Sequence, residues 1–410
     1  MRVLVVNCGS SSVKLRLFQV ESASSLANPA ARVLAGGAVV GIGGQASLEL
    51  ATEGGASSRS VRAVADHQGA LTWLLEHIER NRVEAVGHRV VHGGERFRAP
   101  TVIDDQVIAE IERLDELAPL HNPASLAGIQ ATRAYFGSSI PMVAVFDTAF
   151  HHDLPPEAAT YAIPHDLASR HRIRRYGFHG IAHASLVAGY AAFSHKPLAH
   201  TRLITVHLGN GCSAAAVLGG RSIETSMGFT PLEGLVMGTR SGDLDPAIVT
   251  YLAHREGVGP DEVERWLNER SGLLGLSGLS HDMRELLRAE QHGNPRAALA
   301  IRSFCHRVRK YLGAYLAVLG GADAVVFGGG IGENAPAIRA RICEGMAWCG
   351  IELDQARNEA VLGLAPGAAA CISQPDSGLP CYVVGVDEET EIARETMRCL
   401  LKKQGTANNE

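Results

Sequence analysis

Two arginines of this 410-residue chain are flanked by glycine, small and imidazole side chains, which suits guanidinium groups directed from loops into a cleft. Arg89 lies in GHRVVHGGE at residues 87–95, and Arg240 lies in MGTRSGD at residues 237–243. The planar fork of an arginine binds a phosphate or a carboxylate through two hydrogen bonds. A surface salt bridge explains either arginine taken alone, so the pair only suggests an anionic substrate.

A turn of small polar residues, NCGSSSVK at residues 7–14, follows the first apolar run. Its backbone amides, the Asn7 side chain and the charge of Lys14 could surround an anion such as a phosphate. It is not a Walker A loop, because GxxxxGK[ST] occurs neither here nor elsewhere in the chain. An ordinary serine-rich hairpin turn explains the same residues equally well.

A glycine-rich segment, GGGIGENA at residues 328–335, follows the apolar run at 324–327. A turn of this kind that opens a helix favours a phosphate or the close approach of a nucleotide. Residues 330–335 also fit the GxGxxA dinucleotide fingerprint, with Glu352 at roughly the expected distance of about 20 residues. That fingerprint usually opens the first βαβ unit, whereas here it lies near the end of the chain. An NAD-dependent oxidoreductase therefore remains an alternative.

Carboxylates follow two other apolar runs. Asp147 comes directly after residues 142–146, and three acids at 387–389 come directly after residues 382–386. Carboxylate oxygens at strand ends can hold Mg²⁺, often through water. Three consecutive acids also suit a helix N-terminus, so a metal role for any one of them stays open.

The chain has 18 histidines, and two of them, His179 and His183, have the spacing of a zinc-binding helix. Gly180 stands where a zinc protease has its glutamate, so hydrogen-bonding or phosphate-facing imidazoles are the preferred interpretation. None of the eight cysteines forms a CxxC pair, and no GxSxG elbow is present. We expect reduced thiols and a cytoplasmic protein.

Composition narrows the function classes further. The net charge of −5 offers no bulk basic surface for nucleic acid, and no apolar run reaches the ~20 residues of a membrane span. The length suggests about two domains.

The positioning elements follow from hydrophobic patterning. The predicted helices are 70–78, 108–117, 124–135, 296–319 and a terminal helix carrying 392–400, and the predicted strands are 2–7, 13–18, several within 32–52, 85–91, 142–146, 202–208, 214–218, 323–327 and 382–386. The hairpins that begin near residues 5 and 205 share one plan, an apolar strand and then a tight glycine turn. Either two similar domains face one cleft or the similarity arose by chance.

Taken in order, the motifs resemble the acetate kinase family over nearly the whole chain. The segments that carry the resemblance are 7–14, 87–95, 118–123, 146–151, 175–180, 207–211, 225–245, 271–284, 328–334 and 387–389. The resemblance implies an α/β fold with two duplicated actin-like (ribonuclease H-like) domains and an active site in the cleft between them. It also implies a homodimer and two domains. The N-terminal domain would comprise residues 1–148 together with 386–410, and the C-terminal domain would comprise residues 149–385.

Roles carry over from the family by position. Arg89 and Arg240 resemble the arginines that bind the substrate carboxylate and the transferring phosphoryl group, and His179 resembles the imidazole that donates to that group. Asp147 resembles the acid that orients the site and its magnesium. The metal positions are Asn7, which faces the terminal phosphate, and Glu388, preferred to Glu389. His121 and His207 match site histidines.

Two further sets are implied by the same resemblance. The pocket for the acetate methyl would be formed by Val91, Leu120, Phe178 and Pro231. The residues that bind the nucleotide would be Lys14, His207, Gly209, Asn210, Gly211, Asp282, Met283, Arg284, Gly330, Ile331, Gly332 and Asn334.

The expected reaction is reversible transfer of a phosphoryl group from ATP to acetate with Mg²⁺ or Mn²⁺, giving acetyl phosphate and ADP. A carboxylic acid with a pKa near ~4 is ionised at neutral pH, so the acceptor needs no general base. The alternatives are a propionate or other short-chain acid kinase, the dinucleotide enzyme named above, and an actin-like ATPase without a carboxylate acceptor.

Overall fold

The computed structural model describes residues 1–9, 12–21, 29–52, 57–79, 82–116, 118 and 122–407. The chain forms two compact units, Met1–Phe150 with Glu388–Glu410 and His151–Asp387. Each unit is built on its own mixed sheet with helices packed against it. The predicted fold class, α/β with two actin-like domains, is confirmed.

The first unit contains an eight-stranded sheet among its described residues. Its strands are β1 (Arg2–Cys8), β2 (Ser12–Val20), β3 (Ala31–Val40), β4 (Gly44–Thr52), β5 (Ser57–Val64), β6 (Ala85–Val90), β7 (Thr101–Val102) and β8 (Met142–Phe146), in the order β5-β4-β3-β2-β1-β6-β8-β7. Strands β1, β6 and β8 run parallel to one another. Their carboxyl ends therefore meet at one sheet edge, where Asn7, Arg89 and Asp147 lie.

Four helices belong to this unit in the described residues: α1 (His67–Leu75), α2 (Asp105–Arg113), α3 (Asn122–Phe136) and the C-terminal helix (Glu388–Ala407). Helix α2 begins earlier than the predicted 108–117 because Asp104 caps it, its side chain accepting from the Val107 amide at 2.8 Å. The C-terminal helix packs on β1, β6 and β8. A Cβ on Gly87 would lie 2.3 Å from Thr396 Oγ1, so only glycine allows this approach.

The second unit contains a six-stranded sheet. Its strands are β9 (Arg202–Leu208), β10 (Cys212–Leu218), β11 (Arg221–Thr225), β12 (Ala324–Gly328), β13 (Ala369–Cys371) and β14 (Cys381–Val384), in the order β11-β10-β9-β12-β14-β13. An antiparallel hairpin, β9–β10, is followed by β12 and β14 parallel to β9. This repeats the arrangement β3-β2-β1-β6-β8 of the first unit, so the similarity of the two hairpins reflects a duplicated domain.

The helices of the second unit are α4 (Pro156–Ala159), α5 (His165–His171), α6 (Gly180–Ser194), α7 (Ala247–Glu256), α8 (Pro260–Glu269), α9 (Gly272–Ser277), α10 (Met283–Gln291), α11 (Pro295–Leu319), α12 (Gly329–Asn334), α13 (Pro336–Cys343) and α14 (Gln355–Ala360). Helix α11 contacts β9 and β10, and α6 contacts β9 and β12. Sequence periodicity missed α6 because apolar residues occur on all sides of it. Among the helices described here, none is long and apolar enough to cross a membrane.

A buried imidazole on β6, that of His88, makes stability depend on pH. His88 is 1% exposed, and its Nε2 lies 3.0 Å from Thr132 Oγ1. Burial lowers the pKa of His88 to about 3. Below the ordinary histidine pKa of about 6.5, the unfolded chain therefore binds a proton that the folded chain does not, so the free energy of unfolding falls as pH falls.

Replacing His88 with glutamine should remove this titration. As pH falls from about 6.5 to about 5, the free energy of unfolding should fall more steeply for the wild type than for the His88→Gln protein. The difference in slope should be up to about 1.4 kcal/mol per pH unit. Urea unfolding at several pH values measures the difference. The exposed His200 provides the matched control, since His200→Gln should keep the wild-type slope. Equal slopes for His88→Gln and the wild type would contradict the prediction.

Candidate active site

The first unit holds one cluster of predicted site residues at the carboxyl ends of β1, β6 and β8. Arg89 binds Asp147 through two contacts, Nη2 to Oδ2 at 2.6 Å and Nε to Oδ1 at 3.2 Å. Its Nη1 donates to Asn7 Oδ1 at 3.3 Å, and Glu388 Oε2 lies 3.9 Å from its Nε. The predicted strand at 85–91 is present, so the expectation that Arg89 lies in a loop is wrong. Four predicted residues therefore converge on one point.

This cluster is not a surface salt bridge. The side chain of Asp147 is 2% exposed and that of Arg89 is 19% exposed. Burial raises the pKa of the Asp147 carboxyl, and the Arg89 guanidinium opposes that shift. Burial disfavours the charge on Arg89, but the Asp147 and Glu388 carboxylates outweigh this and raise its pKa. The guanidinium is consequently a permanent cation held in a fixed orientation.

The chain after β6 is fixed by two polar residues that the sequence reading did not identify. Asn122 Oδ1 accepts from the His92 amide at 3.0 Å, and its Nδ2 donates to the His92 carbonyl at 3.2 Å. Thr148 Oγ1 accepts from the Gly93 amide at 3.0 Å. These bonds position Val91, which is 7% exposed. Two other predicted site residues, Leu120 and His121, lie outside the described residues.

The second unit holds another cluster. The His179 and His207 rings are 4.9 Å apart, and Arg240 Nη1 donates to the Pro231 carbonyl at 3.2 Å. A Cβ on Gly211 would lie 3.1 Å from His179 Nε2 and 3.6 Å from Arg240 Nη1, so both side chains border this turn. His179 has a φ of 58°, which is uncommon outside glycine and often marks functional sites. Phe178, the predicted pocket residue before it, is buried.

Main-chain hydrogen bonds hold the loop that carries Arg240. The Met237 amide donates to the Arg240 carbonyl at 3.1 Å, and the Ser271 amide donates to the Thr239 carbonyl at 2.9 Å. Gly272 lies beneath this loop with a φ of 58°. A Cβ there would lie 2.2 Å from the Met237 oxygen and 2.6 Å from the Arg240 oxygen. The loop that positions Arg240 therefore packs so closely on residue 272 that only glycine fits there.

Gly272→Ala should therefore displace the loop and destabilise the protein by at least about 2 kcal/mol, since a left-handed non-glycine residue alone costs about 1–2 kcal/mol. Gly313, within α11, is the matched control, because it has a negative φ and open space around a Cβ. Gly313→Ala should stabilise by up to about 1 kcal/mol. Denaturant unfolding of both variants measures the two changes. A fully stable Gly272→Ala protein would contradict this account of the loop.

A cavity of about 450 Å³ brings most of the predicted nucleotide-binding residues together in the second unit. Its predicted lining residues are Gly209, Asn210, Asp282, Met283, Arg284, Gly330, Ile331 and Asn334. Its volume suits a small organic ligand. His281, Leu287 and Ala335 also line it, and sequence reasoning did not select them. Helix periodicity could have indicated Leu287, one turn after Met283.

The remaining predicted nucleotide residues lie elsewhere. Gly211 belongs to the His179 cluster, and His207 faces His179. Gly332 is buried in α12. Lys14 is exposed on β2 in the first unit, where it lines another cavity with Arg16.

The glycine-rich turn is fixed from within the protein. Glu333 Oε1 accepts from the Gly329 amide at 3.0 Å and from the Val386 amide at 3.1 Å. Arg339, 0% exposed, donates to the Gly332 carbonyl at 2.8 Å and the Glu333 carbonyl at 3.0 Å. Glu333 already accepts from the first amide of α12, so that amide is not available to bind a phosphate. The turn can instead let a ligand approach its glycine backbone closely.

The oxygen atoms around Arg89 fit a hard cation. Within the described parts of the chain, no group of three or more His, Cys, Asp or Glu side chains is arranged to hold a metal alone. Mg²⁺ usually takes only one or two protein carboxylates and completes its shell with water and substrate phosphates. Asp147, Glu388 and the Asn7 amide oxygen provide that kind of donor set.

Two actin-like α/β units, a nucleotide-sized cavity and two positioned arginines define a nucleotide-dependent phosphotransferase. The chain belongs to the acetokinase family, whose model matches residues 2–394. It is 49% identical over 413 aligned residues to the acetate kinase of Solibacter usitatus (strain Ellin6076), covering 98% of this chain and 99% of that one. It is 50% identical over 402 aligned residues to the acetate kinase of Clavibacter michiganensis subsp. michiganensis (strain NCPPB 382), covering 96% of this chain and 98% of that one.

Solved structures give the same result. The crystal structure of Porphyromonas gingivalis acetate kinase matches with a TM-score of 0.88 and 40% identity, covering 97% of this chain and 99% of that one. A propionate kinase from Francisella tularensis subsp. tularensis SCHU S4 matches with a TM-score of 0.87 and 38% identity, with the same coverage. The family assignment removes support for a dinucleotide enzyme based on residues 330–335.

Proposed function

We propose that this chain transfers the terminal phosphoryl group of ATP to acetate, reversibly, giving acetyl phosphate and ADP. The observation that carries the proposal is the arrangement around Arg89, in which Asp147 and Asn7 fix a partly buried guanidinium at three parallel strand ends. A fixed cation of this kind suits an anionic substrate. The full-length similarity to proteins named acetate kinase supports acetate as that substrate.

The chemistry is mainly positioning and neutralisation of charge. Acetate is already ionised at neutral pH, so its oxygen attacks the γ-phosphorus directly while the bond from phosphorus to the leaving oxygen of ADP breaks. Arg89 and Arg240 hold the carboxylate and the phosphoryl group, and His179 donates a hydrogen bond to the phosphoryl oxygens.

Mg²⁺ belongs to the same proposal. Asn7, Asp147 and Glu388 would hold it together with the nucleotide phosphates, and Mn²⁺ should substitute for it. When bound, the metal neutralises charge on the phosphates.

The second candidate is a propionate or other short-chain acid kinase, favoured by the similarity to the Francisella tularensis propionate kinase. Buried Val91 limits the space that we assign to the acetate methyl, which supports acetate. One methylene in a pocket changes specificity by about 10–200-fold.

A hydroxamate assay with Mg-ATP and acetate, propionate or butyrate tests both candidates. Acetate should give the highest kcat/KM. A higher value for propionate would establish the second candidate. No acyl phosphate with any acid, from protein shown to be folded, would overturn the proposed function.

We also propose a cytoplasmic homodimer. The eight thiols are free, as a reducing compartment would keep them. Helix α7 has no buried residue, and its Ile248 and Tyr251 are 40% and 58% exposed. A second copy could cover this apolar surface. Light scattering should report twice the 43.4 kDa chain mass, and a monomer at micromolar concentration would contradict the proposal.

A further inference from the structure

Three buried polar groups form a chain behind the His179 ring. His179 Nδ1 lies 2.9 Å from Ser213 Oγ, which lies 2.8 Å from His183 Nε2. On the far side of that ring, His183 Nδ1 lies 2.8 Å from Thr205 Oγ1. Ser213, His183 and Thr205 are each 0% exposed. We infer that this relay (Thr205, His183 and Ser213) sets the tautomer of His179, so that the neutral ring carries its proton on Nε2.

The number of protons allows only two directions along the relay. Burial lowers the pKa of His183 well below its usual value, so its ring is neutral and carries one proton. Each hydroxyl also has one proton to donate. Ser213 therefore donates either to His183 and accepts from His179, or donates to His179 and accepts from His183. The first direction puts a proton on Nδ1 of His179, and the second leaves Nδ1 as an acceptor.

The buried end of the relay decides between these directions. When Thr205 donates to His183 Nδ1, its proton lies in a 2.8 Å hydrogen bond. In the opposite direction its proton has only the Ala215 carbonyl, at 3.5 Å. A buried donor without a good acceptor costs about 1–3 kcal/mol. At the other end His179 is half-buried, so water or a ligand can serve either tautomer. The direction that satisfies Thr205 therefore prevails.

Arg240 makes this control necessary. Two groups that lie near His179 are the His207 ring, 4.9 Å away, and Arg240, whose Nη1 borders the same Gly211 turn as His179 Nε2. A nearby cation disfavours an imidazolium and favours a bare lone pair on the nitrogen that faces it. The relay counteracts this by occupying Nδ1. In this direction of the relay, Nδ1 of the neutral His179 ring accepts from Ser213, and the proton that the ring can donate is on Nε2.

The inference rests on the proposed function for its catalytic meaning, but its test does not need turnover. In ¹⁵N NMR spectra of histidine-labelled protein near pH 8, assigned with His179→Gln, we expect His179 Nδ1 to resonate as an unprotonated nitrogen and Nε2 as a protonated one. A protonated Nδ1 in the wild type would overturn the inference.

Thr205→Val tests the relay from its far end, because it removes the hydroxyl and keeps a β-branched side chain in β9. We expect His179 Nδ1 to become partly protonated. We also expect kcat to fall about tenfold, because the Nε2 donor is then lost in part of the molecules. The KM values should stay within about twofold of the wild type. An unchanged His179 spectrum together with an unchanged kcat would overturn the inference.

Ser222→Ala is the matched control. It removes an equivalent bond, Ser222 Oγ to His151 Nδ1 at 2.8 Å, outside the relay. Its His179 signals and kcat should match the wild type, and a shift equal to that of Thr205→Val would overturn the inference. If the wild type shows an unprotonated Nδ1 but makes no acyl phosphate, the relay stands and the proposed function fails. If the enzyme makes acetyl phosphate but His179 Nδ1 is protonated, the proposed function stands and the relay inference fails.

Discussion

Replacing Arg240 with alanine should lower kcat by about 10²–10⁴ while the protein stays folded. The loss follows because the guanidinium is assigned to charge that develops on the phosphoryl group, where removal of one fixed donor already costs about 10²–10³. The fold should survive because main-chain bonds such as Met237 N to Arg240 O hold the loop. Arg240→Lys, which keeps the charge but not the planar fork, should be intermediate.

The hydroxamate assay measures this loss, and thermal unfolding monitors the fold. The control is Arg265→Ala, which removes an exposed arginine paired with Glu262 on α8 and should leave kcat unchanged. Activity of Arg240→Ala within about threefold of the wild type would show that Arg240 has no part in the transfer.

The second large effect is expected for Asp147→Asn. The substitution keeps the shape of the side chain but removes the charge that orients Arg89 and that we assign to Mg²⁺. Arg89 would lose its charged partner and one of its two bonds to position 147, and would keep a neutral amide oxygen there, the Asn7 contact at 3.3 Å and the longer approach to Glu388. We expect kcat to fall by at least about 10² and the Mg²⁺ concentration for half-maximal activity to rise. Breaking a buried pair also destabilises by about 3–5 kcal/mol, so unfolding must be measured in parallel.

A Mg²⁺ titration separates a site effect from a folding effect, since a merely destabilised enzyme would keep its metal requirement. Asp105→Asn is the control, because Asp105 pairs with Arg133 on an exposed surface of the same unit. An active Asp147→Asn protein with unchanged Mg²⁺ dependence would remove Asp147 from the proposed site.

Sequence patterning predicted the features that depend on local repetition and strand direction. Apolar runs ending at Asn7 and Asp147 predicted strands, and β1 and β8 do deliver these residues to one edge. Patterning predicted the strand that contains Arg89, at 85–91, but the small neighbours of this arginine favoured a conflicting loop interpretation of the residue itself. It also missed Ser213 and Thr205, since a small polar residue in a strand looks the same whether or not a histidine packs beside it.

The cavity walls show another limit. Gly209, Asn210 and Asp282 were found through motifs, whereas His281 lines the same cavity only because the start of α10 is placed beside the β9 turn. Such placement arises from tertiary packing, which no single segment encodes.

The C-terminal helix has a consequence for synthesis on the ribosome. Gly87 of β6 approaches Thr396, so part of the first sheet is covered only after more than 300 further residues have been translated. The second unit, residues 151–387, can complete its own fold earlier. Domains usually fold in order from the N-terminus as they emerge. Here the unit that begins first finishes last, and its uncovered β6 surface is what a chaperone would meet on the nascent chain.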